Sequence, residues 1–310
     1  MVRRAVRAML VVITVGVLLG VGLFGGQRYL EHRVGQAVDG LLADLPAYLD
    51  GSYSAVTVNP LEQTAAVHDV RLEGAGLFPD VNIRRVSIRD YSGGTVLPEK
   101  LDVRFHDVHW VRGGWPETLA FLEGAINGPV VGDFALTMQF DPDTRALMLD
   151  QVVAELHNGD RVAFEGRFRL GDRGMLDHPY EGPASGLELV EFDGRWRDTG
   201  LFQAMLERIA RDRGMTGPTL AANILGELEW AAADLEDENL ENAMDAMRQF
   251  FHEPGLLHVR ITPTDPINLV LLGERFLIHP PQALQRLGPD VRYTAVRPDA
   301  EPTITWSDQD

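Results

Sequence analysis

From Tyr53 to Arg197 apolar residues recur at every second position, in short runs separated by turn residues. A period of two is that of a half-buried strand, and strands joined by tight turns pair antiparallel. The alternation predicts strands over 53–58, 64–72, 81–90, 101–110, 130–140, 145–156, 161–170 and 187–197. Asn59-Pro60-Leu61-Glu62-Gln63, Asp141-Pro142-Asp143 and Asn158-Gly159-Asp160 read as the turns between them, Asn-Gly being the strongest of these hairpin signals. Such a run forms an antiparallel meander, with none of the strand–helix–strand rhythm of a parallel sheet.

Helical spacing takes over in the last third. Leu201, Met205, Leu206 and Ile209 fall on one face of a helix over 199–213, with Gly214 as its stop. A second helix is expected over 219–232 and a third over 239–251, where Leu240, Ala243, Met244, Met247, Phe250 and Phe251 share a side. A strand over 256–262, a short helix over 281–287 and a last strand over 291–296 complete the pattern, and another short helix is expected over 116–126. The fold class is α+β: an N-terminal transmembrane helix, then a long antiparallel meander with helices packed from the C-terminal third.

The transmembrane expectation rests on the first 26 residues. Arg3, Arg4 and Arg7 precede an uncharged apolar run, residues 8–26. Nineteen residues make about 28 Å of helix, enough for a hydrocarbon core of about 30 Å. Arginines on one flank keep the N-terminus cytoplasmic and send the remainder across. The run is long for a secretory signal, and Leu23-Phe24-Gly25-Gly26-Gln27 lacks an Ala-x-Ala cleavage site, so the anchor is expected to be retained. Residues 27–51 then read as an amphipathic stalk helix, 52–297 as an extracytoplasmic α+β domain and 298–310 as a tail.

Composition removes several function classes. With no cysteine there is no disulfide, thiolate metal site or thiol nucleophile. A net charge of −18 argues against nucleic acid as a partner. Phosphate-cradling glycine loops, a Gly-x-Ser-x-Gly elbow and His-Glu-x-x-His are all missing. Asp102, His106, Asp107 and His109 come nearest to a metal set. Strand parity puts Asp102 and His106 on one face and Asp107 with His109 on the other, leaving two pairs, each too small to close a site. The acidic run Asp234, Glu236, Asp237, Glu238 and Glu241 has no calcium-loop spacing and suits a solvated helix start. No catalytic, cofactor-binding or metal-ligating residue is therefore expected.

Phe134, Leu136, Met138 and Phe140 share one strand face, and the residues between them are small or polar. The helices over 201–209 and 240–251 are expected to cover that face. Together with Met244 and Met247, these four residues form the candidate apolar groove, methionine being suited to an adaptable surface.

An N-terminal anchor followed by Tyr53-Ser-Ala-Val-Thr-Val-Asn-Pro-Leu61 and Val67-His-Asp-Val-Arg-Leu72 resembles the opening of bacterial AsmA-like and YdgA-like periplasmic proteins. Phe192-Asp-Gly-Arg-Trp-Arg-Asp-Thr-Gly-Leu201, Phe250-Phe-His-Glu-Pro-Gly-Leu-Leu257 and Pro263-Thr-Asp-Pro-Ile-Asn-Leu269 are similar to stretches of such proteins. The resemblance implies a long antiparallel sheet and a role in envelope maintenance or lipid handling, at the inner membrane with the main domain periplasmic. The expected function is thus non-enzymatic: an anchored protein that meets the bilayer through residues 8–26 and binds a lipid or an envelope protein through an apolar sheet face. A periplasmic hydrolase built from scattered carboxylates and histidines, and a purely structural tether, are the alternatives.

Overall fold

The computed structural model describes residues 28, 30–40, 42–43, 49–59, 61–62, 64–74, 80–92, 98–110, 130–171, 186–232, 238–272 and 280–295. The run 8–26, the short helix expected over 116–126 and the tail 298–310 lie outside these residues. Among the described residues no helix is long and apolar enough to cross a membrane.

A helix, α1, comes first, its described residues being 28, 30–40 and 42–43. The strands are β1 (Leu49–Ser52), β2 (Ala55–Asn59), β3 (Thr64–Gly74), β4 (Val81–Ser92), β5 (Lys100–Trp110), β6 (Val130–Asp141), β7 (Ala146–Leu156), β8 (Arg161–Leu170) and β9 (Leu187–Arg197). Helices α2 (Leu201–Asp212), α3 (Gly217–Ala232) and α4 (Glu238–His252) follow, then β10 (Gly255–Ile261), β11 (Ile267–Asn268), α5 (Pro280–Leu287) and β12 (Pro289–Ala295). All twelve strands form one antiparallel sheet in the order β1-β3-β4-β5-β6-β7-β8-β9-β10-β12. β2 lies along the other half of β3, and β11 continues the edge of β9.

The meander read from the alternation is the architecture found. The stalk ends earlier than expected: Leu49–Ser52 is already a strand, paired with β3 from Leu49↔Gly74 to Ser52↔Arg71. Pairing to an existing strand outweighs helical spacing in residues whose side chains make no continuous stripe. Tyr53 ties α1 to this edge, its hydroxyl donating to Asp39 Oδ1 at 2.8 Å with the Gly35 carbonyl 3.4 Å away.

Turn chemistry sets the register. In the β6–β7 turn Asp141 Oδ1 accepts the Asp143 and Thr144 N–H groups, and Arg145 closes the turn with a φ of 56°. In the β7–β8 turn Asn158 Oδ1 accepts the Asp160 N–H, and Gly159 takes a φ of 94° that favours glycine. α2 ends in a Schellman motif: Gly214 stands at φ 69°, its N–H on the Arg211 carbonyl and that of Met215 on Ala210.

That register sorts the sheet into two faces. Val67, Val86, Phe105, Phe134, Ala154, Val162, Trp196, Leu257 and Tyr293 are paired strand to strand in one unbroken row. Ala65, Ile88, Val103, Leu136, Val152, Phe164, Gly194, Val259 and Val291 make the next. Arginines and carboxylates occupy the opposite face, as in the pairs Arg167–Glu191, Arg260–Glu191 and His258–Asp193.

The described helices cover one end of the apolar face. α4 lays Ala243, Ala246 and Phe250 on Leu257 and Val291, with Trp196, Val259 and Tyr293 around them. α2 and α3 pack behind it through Leu206, Ala210, Leu220, Ala221 and Leu225, which meet Met244 and Phe251. α5 places Leu287 on Leu189 and Ile267. The expected cover of Phe134, Leu136, Met138 and Phe140 by α2 and α4 is therefore not what forms. α2 leaves directly from the end of β9 and α4 leads directly into β10, while β6 is three strands from β9, roughly 14 Å at 4.7–4.9 Å per strand.

Candidate functional site

The six candidate groove residues separate into two regions. Met138 and Phe140 are buried in a cluster with Leu170, flanked by Leu101, Leu136, Leu147, Leu149 and Leu187, all supplied by the sheet and the ends of its strands. Phe134 is half-buried and meets Trp110 edge to face, with ring centroids 5.0 Å apart. Met244 and Met247 lie instead among the helices, Met244 in the α2–α3–α4 cluster and Met247 between that cluster and the α4–sheet contact. They do not converge on one groove.

A broader surface emerges in place of the groove. Over β6, β7 and β8 the apolar face carries Phe134, Leu136, Leu147, Leu149, Val152 and Phe164, all half-buried, and Val162 is 39% exposed, while Phe168 packs toward the α5 cluster. Apart from the bulge at Asp150, residues in this region are paired in the ladder, so the surface presents mainly hydrocarbon. Its extent could not be read from one strand: it arises from the pairing of residues tens of positions apart.

The polar features lie elsewhere. β5 carries an extra residue against β6: Phe105 pairs with Phe134 and Val108 with Gly132, so His106 and Asp107 together face Asp133. Asp107 takes a φ of 50°, as does Asp69 on β3, and the pairings skip Asp69, Arg84 and Asp107 in step across three strands. The extra residue overturns the parity expected for Asp102, His106, Asp107 and His109. Val103 and Val108, of opposite parity, are both buried on the apolar side, so His109 returns to the side of His106.

Asp107 groups with residues that strand spacing did not single out. Asp107, Asp133 and His157 bring one ligand atom each within 4.8 Å of one another. Arg84 Nε stands 2.6 Å from Asp107 Oδ2, His157 Nε2 stands 3.5 Å from Oδ1, and Asp133 Oδ1 accepts the Asp107 N–H at 2.8 Å. The Arg84 guanidinium thus already answers the Asp107 charge, and the Asp107 N–H and His157 ring complete a polar cluster at a bulge. Beside it an open trough of about 820 Å³ runs between β3, β4 and β5, bordered by Arg71, Glu73, Asn82, Arg84 and His109.

A family model described as an uncharacterized protein matches residues 125–294, more than half of the chain. The chain belongs to that family. The match runs from just ahead of β6 into β12, so it takes in both the half-buried apolar strands and the helices that cover their neighbours. No curated protein and no solved structure matches the chain.

Proposed function

We propose that this is a non-enzymatic, membrane-anchored envelope protein that holds the acyl chains of a lipid on the apolar face of β6, β7 and β8. The observation that carries the reading is the continuity of that face. Its rows run unbroken from β3 to β12, yet the described helices close over the β9–β12 end alone. Hydrocarbon set against such a surface gains about 25 cal/mol per Å² removed from water, without a polar partner having to be matched. An acyl chain is all hydrocarbon and brings no polar group to be satisfied there. The apolar run at 8–26, following Arg3, Arg4 and Arg7, supplies the anchor and places the main domain outside the inner membrane. The likeness to AsmA-like and YdgA-like proteins supports the same role.

Native mass spectrometry of the full-length protein extracted in detergent tests this reading. Lipid adducts are expected, and Val162→Asp should abolish them while the chain stays folded, because Val162 is exposed already. A lipid-free protein, or adducts unchanged by the substitution, would overturn the proposal. A stoichiometric protein in place of lipid would assign the face to a protein partner instead.

A further inference from the structure

Two acids are buried together where the β7–β8 turn meets the start of α2. Asp160 retains 2% of its surface and Asp198 1%. Asp160 Oδ1 accepts the Thr199 N–H at 2.6 Å, and Oδ2 accepts from Asn158 Nδ2. Asp198 Oδ1 accepts the Phe202 N–H at 2.8 Å, in the first turn of α2. Its Oδ2 is buried and meets no donor, and its side-chain neighbour is Asp160.

Charged groups stand around the pair. From β7, β8 and β9 come Glu155, Arg161 and Arg197, whose ion pairs run to one another: Arg161 and Arg197 both reach Glu155, and Arg197 Nε donates to the Gly159 carbonyl. Tyr293 on β12 is the titratable group on the other side, its phenol pushed up by burial first and then by the charges of Glu253 and Asp198. Two adjacent buried carboxyls cannot both ionise in a low dielectric.

We propose that Asp198 carries a proton on Oδ2, shared with Asp160, and that this proton latches α2 to the sheet. Protonated, Oδ2 becomes the donor that Asp160 lacks from this side, and the oxygen without a partner is explained. The other oxygens of the pair keep the Thr199 and Phe202 amides, so the latch holds the turn into α2 and the Phe202 ring. That ring lies 5.3 Å from Trp196, 4.9 Å from Phe250 and 4.9 Å from Phe251, centroid to centroid. Releasing the latch therefore loosens the inner end of the helical cover.

The direction with pH follows from burial. Burial pushes the Asp198 carboxyl up from its ordinary value, against the N–H bonds from Phe202 and Gly200, and the Asp160 charge pushes it further. A group raised on folding contributes its full stability below its unfolded value and loses it as pH rises through the folded one. The latch holds at low pH and loosens as pH rises through the folded value, whatever the apolar face binds.

Hydrogen exchange at the Thr199 and Phe202 amides of the full-length chain tests it, corrected for the intrinsic rise of exchange with pH. Between the unfolded and the folded value protection should fall by up to about tenfold per pH unit, the slope for one proton, and level off above the folded one. Asp198→Asn replaces the shared proton with an amide donor and should make protection independent of pH. Should that variant fail to fold, the infrared carbonyl band of a protonated carboxyl, persisting in the unaltered protein above the usual carboxylate range, supports the latch in its stead. Protection that does not fall with pH in the unaltered protein, or that falls equally in Asp198→Asn, would overturn it. So would protection that calcium restores and a chelator removes, since a cation would then hold the pair.

Discussion

The indole of Trp196 on β9 stands edge to face with the ring of Phe202 on α2, 82° between planes, and Phe250 of α4 closes on both. These three rings are where the helical cover grips the sheet. Phe250 is 1% exposed, the most buried of the large apolar side chains here. Phe250→Ala should cost about 3–5 kcal/mol, read as a lowered denaturation midpoint. A loss below about 1 kcal/mol would mean that the cover is not held at this point.

Met138 and Met244 belong to separate clusters, one within the sheet and one among the helices. Each methionine-to-alanine change should cost about 2–5 kcal/mol, and the double variant should equal their sum within about 0.5 kcal/mol. A larger coupling in chemical denaturation would show that they share one core after all.

Phe134 is half-buried, and α2 and α4 lie over other strands. Phe134→Ala should therefore cost only about 1–2 kcal/mol, less than Met138→Ala. Reversal of that order in a denaturant titration would restore a tight cover over β6.

Three donors hold the Asp141 carboxyl below its ordinary value, the Thr144 hydroxyl first and the Asp143 and Thr144 N–H groups after it. A lowered value gives stability that is complete above the unfolded value and is lost as pH falls through the folded one. Asp141→Ala should melt below the parent at neutral pH, and the two should converge as both are brought toward about pH 2. A gap in melting temperature that stays constant with pH would contradict the ionic origin.

Replacing Val15 and Leu18 with arginine puts charge at the centre of the proposed anchor, at about 2.5–3.5 kcal/mol each. Membrane association and export should both fail, and a periplasm-only reporter fused after Asp310 should be active in the unaltered protein and silent in the variant. A reporter silent in both, at normal expression, would reverse the topology.

Much of the fold was legible because its signals are local. Arg161–Leu170 and Leu187–Arg197 form strands with the limits that the alternation predicts, and Asn158-Gly159-Asp160 turns where it should. What escaped was non-local. One extra residue beside Asp107 reverses side-chain parity for the rest of β5, and nothing in the spacing of Asp102, His106 and His109 announces it. The meeting of Asp107 with Asp133 and His157 depends on the pairing of three strands, and that of Asp160 with Asp198 on a turn folding back against a helix start. The position of α4 was missed for a similar reason: its apolar stripe says that it must be covered, and only its tether to β10 says by what.

Strand order follows chain order from β3 to β10. From β3 to β9 each new strand pairs with the strand made just before it, so the sheet can grow like a ladder as the chain is delivered, while β10 must wait for α2, α3 and α4. The cost falls on the half-made molecule. Until α4 has been synthesised, the lengthening face is bare hydrocarbon and its last strand offers unpaired amides to any neighbour. The nascent chain, more than the finished one, is the form that calls for a chaperone.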